Sequence, residues 1–342
     1  MKLRLGIVGL GTHWENRHRP ALRALSDRFE VRAVCEQVSH LAKQAARDFS
    51  VPAVDGFQML ARRDDIDALL MLSEQWYGKL PIAAAAQFGK AVYCAAPLDV
   101  GIEEIRGLKS RVDEAGIAFM SEFPRRHAPA TIRLKELIAT RLGPPRLLFC
   151  HLRKPTVQGL NGLASSRNKN GSARMADLVE LVDWCRYVVG QEPTSVFGMM
   201  HRGPHAGADD YQMLSLDFSQ PGESCSGPVA QVSCGSYVPA DWHEAVSFRP
   251  PAGLQVSCEH GIAFVDMPAQ LIWFDAAGRH QESLDSERPV GELLLLRFYR
   301  AVTSLVRPTS GMDDAYRALE LVLQAHTSHR EGRRVMLDSL SG

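Results

Sequence analysis

An excess of charge of one sign is missing from this sequence. Its 342 residues carry 39 Lys plus Arg against 39 Asp plus Glu, so no net positive field exists to hold a phosphate backbone. Nucleic acid is therefore not an expected partner. A long apolar run is also missing, and without one no helix crosses a bilayer, so no membrane is expected either. The start runs from Lys2 and Arg4 straight into Leu5-Gly6-Ile7-Val8, without the apolar stretch and small-residue cleavage site of a signal peptide. Paired cysteine is the third absence. Cys35, Cys94, Cys150, Cys185, Cys225, Cys234 and Cys258 are odd in number, scattered and free of any CxxC spacing, which reads as free thiols in a reducing cytoplasm. The mixed pairs Cys150/His151 and Cys258/His260 do not cluster as zinc ligands do, so no metal is expected.

What is present is enough apolar sequence, 45%, to build a core for each of two domains. Up to residue 123, short apolar runs alternate with helical patterns, the mark of βαβ units and a parallel sheet. Strands are predicted over Leu3–Val8, Glu30–Cys35, Ala68–Leu72, Ala91–Cys94 and Ala118–Ser121, with helices near Arg19–Leu25, Ser39–Asp48, Phe57–Arg63, Leu80–Phe88 and Ile102–Ala115. Gly89 stands where a left-handed cap belongs. From residue 124 to 342, strand follows strand: Arg146–Leu152, Ser195–Met200, Gln212–Phe218, Ala230–Gly235, Ala245–Phe248, Gln255–Glu259, Gly261–Val265 and Leu271–Phe274. The fold class read from this is α/β, an N-terminal Rossmann parallel sheet plus a C-terminal α+β domain with a largely antiparallel sheet. Helices are predicted over Ala130–Thr140, Met175–Val189, Leu293–Val306 and Asp313–Ser328, the last packing back on the first domain, and Gly159–Ser172 reads as a long loop.

Gly9-Leu10-Gly11 directly after the first strand is a partial GxGxxG fingerprint, and Glu36 ends the second strand where a ribose-binding acid belongs. The alternative readings are a turn that keeps its glycines for geometry alone and an exposed strand-end acid. Taken with Tyr93-Cys94-Ala95-Ala96-Pro97-Leu98, Asp64–Ala68, Gly89–Val92, Arg126–Pro129, Glu259-His260-Gly261 and the closing Ala325–Val335 helix, the sequence resembles the glucose-fructose oxidoreductase and inositol dehydrogenase family, Gfo/Idh/MocA. The resemblance implies NAD(P)-dependent oxidation and reduction of sugars and polyols, with homo-oligomers built through the second domain's sheet. It assigns the cofactor to Gly9, Gly11, Thr12, His13, Glu36, Ser73, Glu74 and Pro97, and a sugar- or polyol-like ligand to Arg174, Glu180 and Asp183. Glu36 favours NAD over NADP, because it repels a 2′-phosphate.

The catalytic positions depart from the family. Its Glu-Lys-Pro segment reads Ala95-Ala96-Pro97, and with Asp183 aligned to the trailing Asp, Ala176 and Glu180 replace the catalytic Asp and His. A register shifted by one residue sets Asp177 at the catalytic Asp, and the accompanying rotation of about 100° is expected to turn either Asp177 or Glu180 off the shared face. Glu180 reads as a general base or as an ordinary salt-bridged residue, with Arg174 or Arg186 as its partner. Trp14 or a neighbour takes the place of the third Gly, and Thr12–Arg19 is one residue longer than usual, so crowding of helix on strand is expected. Gly78 replaces a His after the third strand, and Trp242-His243-Glu244, Arg153-Lys154 and Arg167–Lys169 are further polar groups without diagnostic spacing. Two functions follow: an oxidoreductase with a rearranged acid/base set drawn from Glu180, His13 or Lys79, impaired on polyols, or a non-catalytic nucleotide- or sugar-sensing protein.

Overall fold

The computed structural model describes residues 2–73, 77–95, 98, 100–156, 167–202, 210–220, 223, 226–239, 241–242, 244–245, 248, 252–284, 288–304 and 311–337, with backbone alone at 156 and 167–174. The chain divides into two compact units, residues 1–124 with 287–317 and residues 125–286 with 318–342.

In the first unit β1 (Leu3–Val8), β2 (Phe29–Cys35), β3 (Ala68–Met71), β4 (Ala91–Cys94) and β5 (Phe119–Ser121) form a parallel sheet in the order β2-β1-β3-β4-β5. Every residue of β3 and β4 is buried, as expected of strands covered on both faces. The connecting helices are α1 (Arg19–Ala24), α2 (Ser39–Phe49), α3 (Phe57–Ala61), α4 (Leu80–Gln87) and α5 (Ile102–Ala115). Gly89, at φ +64°, takes the left-handed conformation that the sequence assigns to it. A late segment completes this core, as Leu294, Leu295 and Phe298 join Leu3, Leu5, Ile7 and Tyr93 and each is fully buried. Burial of such a side chain stabilises by about 1.5–3 kcal/mol. These residues lie on α8 (Val290–Thr303), which replaces the predicted Leu293–Val306.

The extra residue of the first turn is absorbed as a five-residue π-turn, Trp14–His18. The His13 carbonyl accepts both Arg17 N–H at 3.0 Å and His18 N–H at 3.1 Å. The Trp14 side chain expected to crowd helix on strand is taken into the apolar core of the unit. Trp14 is buried and meets Phe49 of α2 at a ring separation of 6.0 Å.

In the second unit β6 (Pro145–Thr156), β7 (Ser195–His201), β8 (Tyr211–Asp217), β9 (Val229–Pro239), β10 (Leu254–Cys258), β11 (Ile262–Asp266), β12 (Gln270–Asp275), β13 (Gly278–Ser283) and β14 (Val335–Met336) run in the order β13-β12-β11-β10-β6-β9-β8-β7-β14. Neighbours are antiparallel apart from the β6–β9 pair. Cross-strand register sets Val196, Leu216, Ala230, Leu148, Val256, Ala263 and Trp273 in one buried row. The next row, on the opposite face, runs Phe197, Ser215, Gln231, Phe149, Gln255, Phe264, Ile272.

Helices α6 (Pro129–Leu137), α7 (Arg167–Val189) and α9 (Gly311–Glu331) complete the description. Helix α7 begins at Arg167 rather than at the predicted Met175, so Gly171 and Ser172 lie within it and most of the expected loop over 159–172 is helix or outside the described residues. Glu244 and Ala245 are helical, against the strand predicted from Ala245 to Phe248, of which residues 246 and 247 lie outside the described residues. Strands β13 and β14 are additions to the sequence reading. The six described cysteines are buried free thiols, and Cys225 lies outside the described residues.

Candidate functional site

The first unit gathers several predicted cofactor residues at the carboxyl ends of β1, β2 and β3. Gly9 and Gly11 hold φ +67° and +64°, a conformation that L side chains rarely adopt. Each also presses on the end of β3: a Cβ on Gly9 would lie 2.8 Å from Ser73 Cβ, and one on Gly11 would lie 2.1 Å from the Leu72 carbonyl oxygen. From the neighbouring strand end, Glu36 accepts Leu10 N–H on one carboxylate oxygen and Val38 N–H on the other, both at 3.0 Å. Gly9, Gly11, Glu36 and Ser73 thus come together. Thr12 and His13 continue the turn into the π-turn, where desolvation and then the Arg17 charge hold the His13 imidazole below its ordinary value. Glu74, Ala96 and Pro97 lie outside the described residues.

Sequence reasoning missed two groups in this unit. Tyr77 reaches back to Cys35, 3.3 Å from its sulfur, and burial pushes up the ionisation of both. Glu122, just past β5, is buried and accepts hydrogen bonds from His18 Nε2 and the Tyr93 hydroxyl at 2.8 Å each, and from Arg17. Burial alone would raise its pKa, but the His18 bond, the His18 and Arg17 charges and the Tyr93 hydroxyl outweigh it and hold Glu122 below the ordinary carboxylate range. Lys79 pairs with Glu104 of α5, which places it in a surface ion pair and not with the glycine turn.

In the second unit the acids of α7 are each matched to a cation. Asp183, fully buried, accepts Arg126 Nε at 2.6 Å and a second bond from the same guanidinium, with Arg186 NH1 at 3.4 Å. Glu180 lies 3.3 Å from Arg125 Nε, a partner that the sequence reading does not name. Arg186 is turned to Asp183 and Glu192, and the Arg174 side chain is outside the described residues. Asp177 accepts Lys154 Nζ at 2.5 Å. Asp177 and Glu180 are both half-buried, each beside its own cation. Three residues fall only about 60° short of a full turn, so the two carboxylates share a face. Arg125 and Arg126 also stack on Trp184 and Tyr187, 5.2 Å from each ring centre. The signal for Arg126 lay in the Arg126–Pro129 stretch, with Arg125 just before it, but nothing local ties them to a helix more than fifty residues on.

Of the remaining polar groups, Arg153 donates to the Phe248 carbonyl at 3.1 Å, Trp242 is exposed and His243 lies outside the described residues. Among the described residues no three His, Cys, Asp or Glu side chains gather as metal ligands would, and no helix is long and apolar enough to cross a membrane.

Residues 3–123 match a family described as oxidoreductases with an NAD-binding Rossmann fold. An inositol 2-dehydrogenase of Cereibacter sphaeroides is 28% identical over 225 residues, 64% of each chain. A D-xylose 1-dehydrogenase (NADP(+)) of Haloferax volcanii is 28% identical over 145 residues, 41% of this chain and 42% of its own. The chain thus spans less than two thirds of the length of these relatives. Two solved structures share the whole fold at 18% identity: an aldose-aldose oxidoreductase from Caulobacter crescentus complexed with glycerol, TM-score 0.82, and a levoglucosan dehydrogenase in complex with NADH and levoglucosan, TM-score 0.83. They cover 98% and 99% of this chain and all of their own. Over residues 3–123 the chain is thus similar to the Gfo/Idh/MocA oxidoreductases, with their NAD-binding Rossmann fold.

Proposed function

We propose that this chain binds NAD(H) on its first unit and takes a sugar- or polyol-like ligand, with the machinery for oxidising a hydroxyl impaired. The observation that carries this reading is the Arg125–Glu180 ion pair. At the position where the family resemblance sets an imidazole, the chain has a carboxylate facing a guanidinium, whose positive charge favours the ionised carboxylate over a protonated one. Ala176 and Ala96 leave methyl groups where a carboxylate and an ammonium would stand. Hydride transfer itself survives such losses better than proton removal from a hydroxyl does.

The glycine turn supports the cofactor half of the reading. It leads into a helical run whose amino end favours phosphate, and Glu36 stands where ribose hydroxyls would be bound. A 2′-phosphate beside that carboxylate would be repelled, which favours NAD over NADP. When bound, the cofactor supplies or accepts the hydride; Gly9, Gly11 and Glu36 position it. The relatives named for inositol and xylose, and the NADH in the levoglucosan dehydrogenase structure, support the same ligand classes. Homo-oligomers are proposed through the outer face of the second unit's sheet, where Phe197, Phe149, Phe264 and Ile272 line one row and Leu147 and Met199 are exposed. Six buried free thiols support a reducing, cytoplasmic setting.

The second reading, a nucleotide- or sugar-sensing protein without turnover, is favoured by the cation partners that Asp177, Glu180 and Asp183 all have. Calorimetric titration with NAD(H) and NADP(H), then a panel of polyols and keto-sugars, separates the two. Weak turnover supports the impaired enzyme, and cofactor binding without turnover supports the sensor. No binding at millimolar cofactor overturns both dinucleotide readings. Ala96→Lys with Ala176→Asp and Glu180→His should gain polyol oxidation where the pocket accepts a polyol.

A further inference from the structure

Glu122 is a charged group buried next to a turn whose shape matters, and the family resemblance gives it no part. Its backbone N–H bonds to the Cys94 carbonyl at 2.8 Å, which sets it beside the end of β4. Its side chain is 2% exposed and turned inward. The carboxylate then draws on two elements: Tyr93 from β4, and Arg17 with His18 from the π-turn. Arg17 and His18 are also the two residues whose N–H groups converge on the His13 carbonyl and so define the π-turn. His18 Nδ1 is buried with no hydrogen-bond partner among the described residues, and its ring is held by the Nε2 bond to Glu122 and by an edge-on contact with Tyr93 at 6.3 Å. Behind the turn, a Cβ on Gly291 of α8 would lie 2.8 Å from the Arg17 carbonyl oxygen, so the backbone has no room to shift that way. The groups around the carboxylate are Arg17, His18 and His13 from the turn, Tyr93 and Cys94 from β4, and the apolar face of α8.

We propose that Glu122 is a positioning residue for dinucleotide binding, fixing from beneath the π-turn that carries the Gly9–Gly11 loop into α1. The proposal rests on the NAD(H) reading given above. A buried carboxylate that accepts three donors holds those donors in one arrangement, since releasing any of them leaves it buried and under-satisfied. The loop after Gly11 then meets a phosphate already shaped. This arrangement places the conformational constraint of the turn on a residue more than a hundred positions away in sequence.

The test uses the full chain, as wild type, Glu122→Gln, Glu122→Asp, and Ser328→Ala as a control that removes a buried hydroxyl in the second unit. Two quantities are read: amide hydrogen exchange over residues 10–18 without cofactor, and the NADH dissociation constant. Glu122→Gln should speed exchange over residues 10–18 by about tenfold while the central strands β1 and β3 are unchanged, and weaken NADH by about tenfold. Glu122→Asp should recover part of both, and Ser328→Ala should move neither. Unchanged exchange over residues 10–18 in Glu122→Gln overturns the proposal, as does an equal loss of NADH affinity in Ser328→Ala. Should Glu122→Gln not fold, Tyr93→Phe removes one donor and should give the same pattern at smaller amplitude. A wild type that binds no NADH would end the cofactor reading, while the exchange measurement still decides whether Glu122 holds the turn.

Discussion

Gly11 stands so close to Leu72 that a methyl group on it would come within 2.1 Å of the Leu72 carbonyl oxygen. The second glycine of the fingerprint is thus required by the protein's own backbone, whether or not a pyrophosphate ever approaches. Gly11→Ala should be far costlier than Gly89→Ala, although both glycines have φ above +60°, because a Cβ on Gly89 meets nothing within 4 Å. The left-handed conformation alone costs about 1–2 kcal/mol, the loss expected at Gly89. Urea unfolding of the two variants should show a distinctly larger loss at Gly11, and equal losses would refute the close approach.

Asp183 is the buried anion between Arg126 and Arg186. Asp183→Asn keeps the shape but removes the charge that two guanidinium groups share. A loss of about 3 kcal/mol is expected, as for other broken buried ion pairs. A fall in the chemical-unfolding midpoint checks it, and a neutral result would mean that the arginines find other acceptors.

The acid limb of stability should carry a Glu122 component. Its folded pKa is depressed, so it contributes stability that is fully present above the ordinary carboxylate value of 4.5 and is lost as pH falls through the lower folded value. Glu122→Gln should therefore flatten the stability profile below that pH relative to wild type. Parallel profiles for the two proteins would contradict it.

Glu36 bonds to the glycine turn at Leu10 N–H and stands at the ribose end of the proposed cofactor. Glu36→Ala should weaken NADH on the order of tenfold, about 1.4 kcal/mol, while the loss for NADPH is smaller or reversed. Fluorescence titration of both cofactors reads the difference. An equal loss for both would reduce Glu36 to a clamp on the turn.

Met199 and Leu147 are 52% and 45% exposed on the second unit's sheet. Charge placed on such a face disfavours self-association. Met199→Asp with Leu147→Asp should shift the protein to a smaller species in sedimentation with little change in unfolding midpoint. An unchanged species would move the proposed interface elsewhere.

The parallel strands were legible because each is an apolar run with few other ways to be satisfied, and β1, β4 and α5 fall on their predicted bounds. Strand β13 was not, since Gly278–Ser283 is polar and gains its pairing only from Gln270–Asp275 across a hairpin. Likewise the Met175 start missed the opening of α7, where a glycine and a serine suggested a loop. Sequence by itself determined the Rossmann half and the glycine turn with Glu36 at the end of the second strand. Only the tertiary structure decided which charges meet: Glu180 with Arg125, Asp177 with Lys154, and Glu122 with Arg17 and His18. The reason is physical. A strand or turn is written in neighbouring residues, whereas an ion pair depends on which surfaces the folded chain brings together, and residues 18 and 122 become neighbours only once β1, β3, β4 and β5 lie side by side.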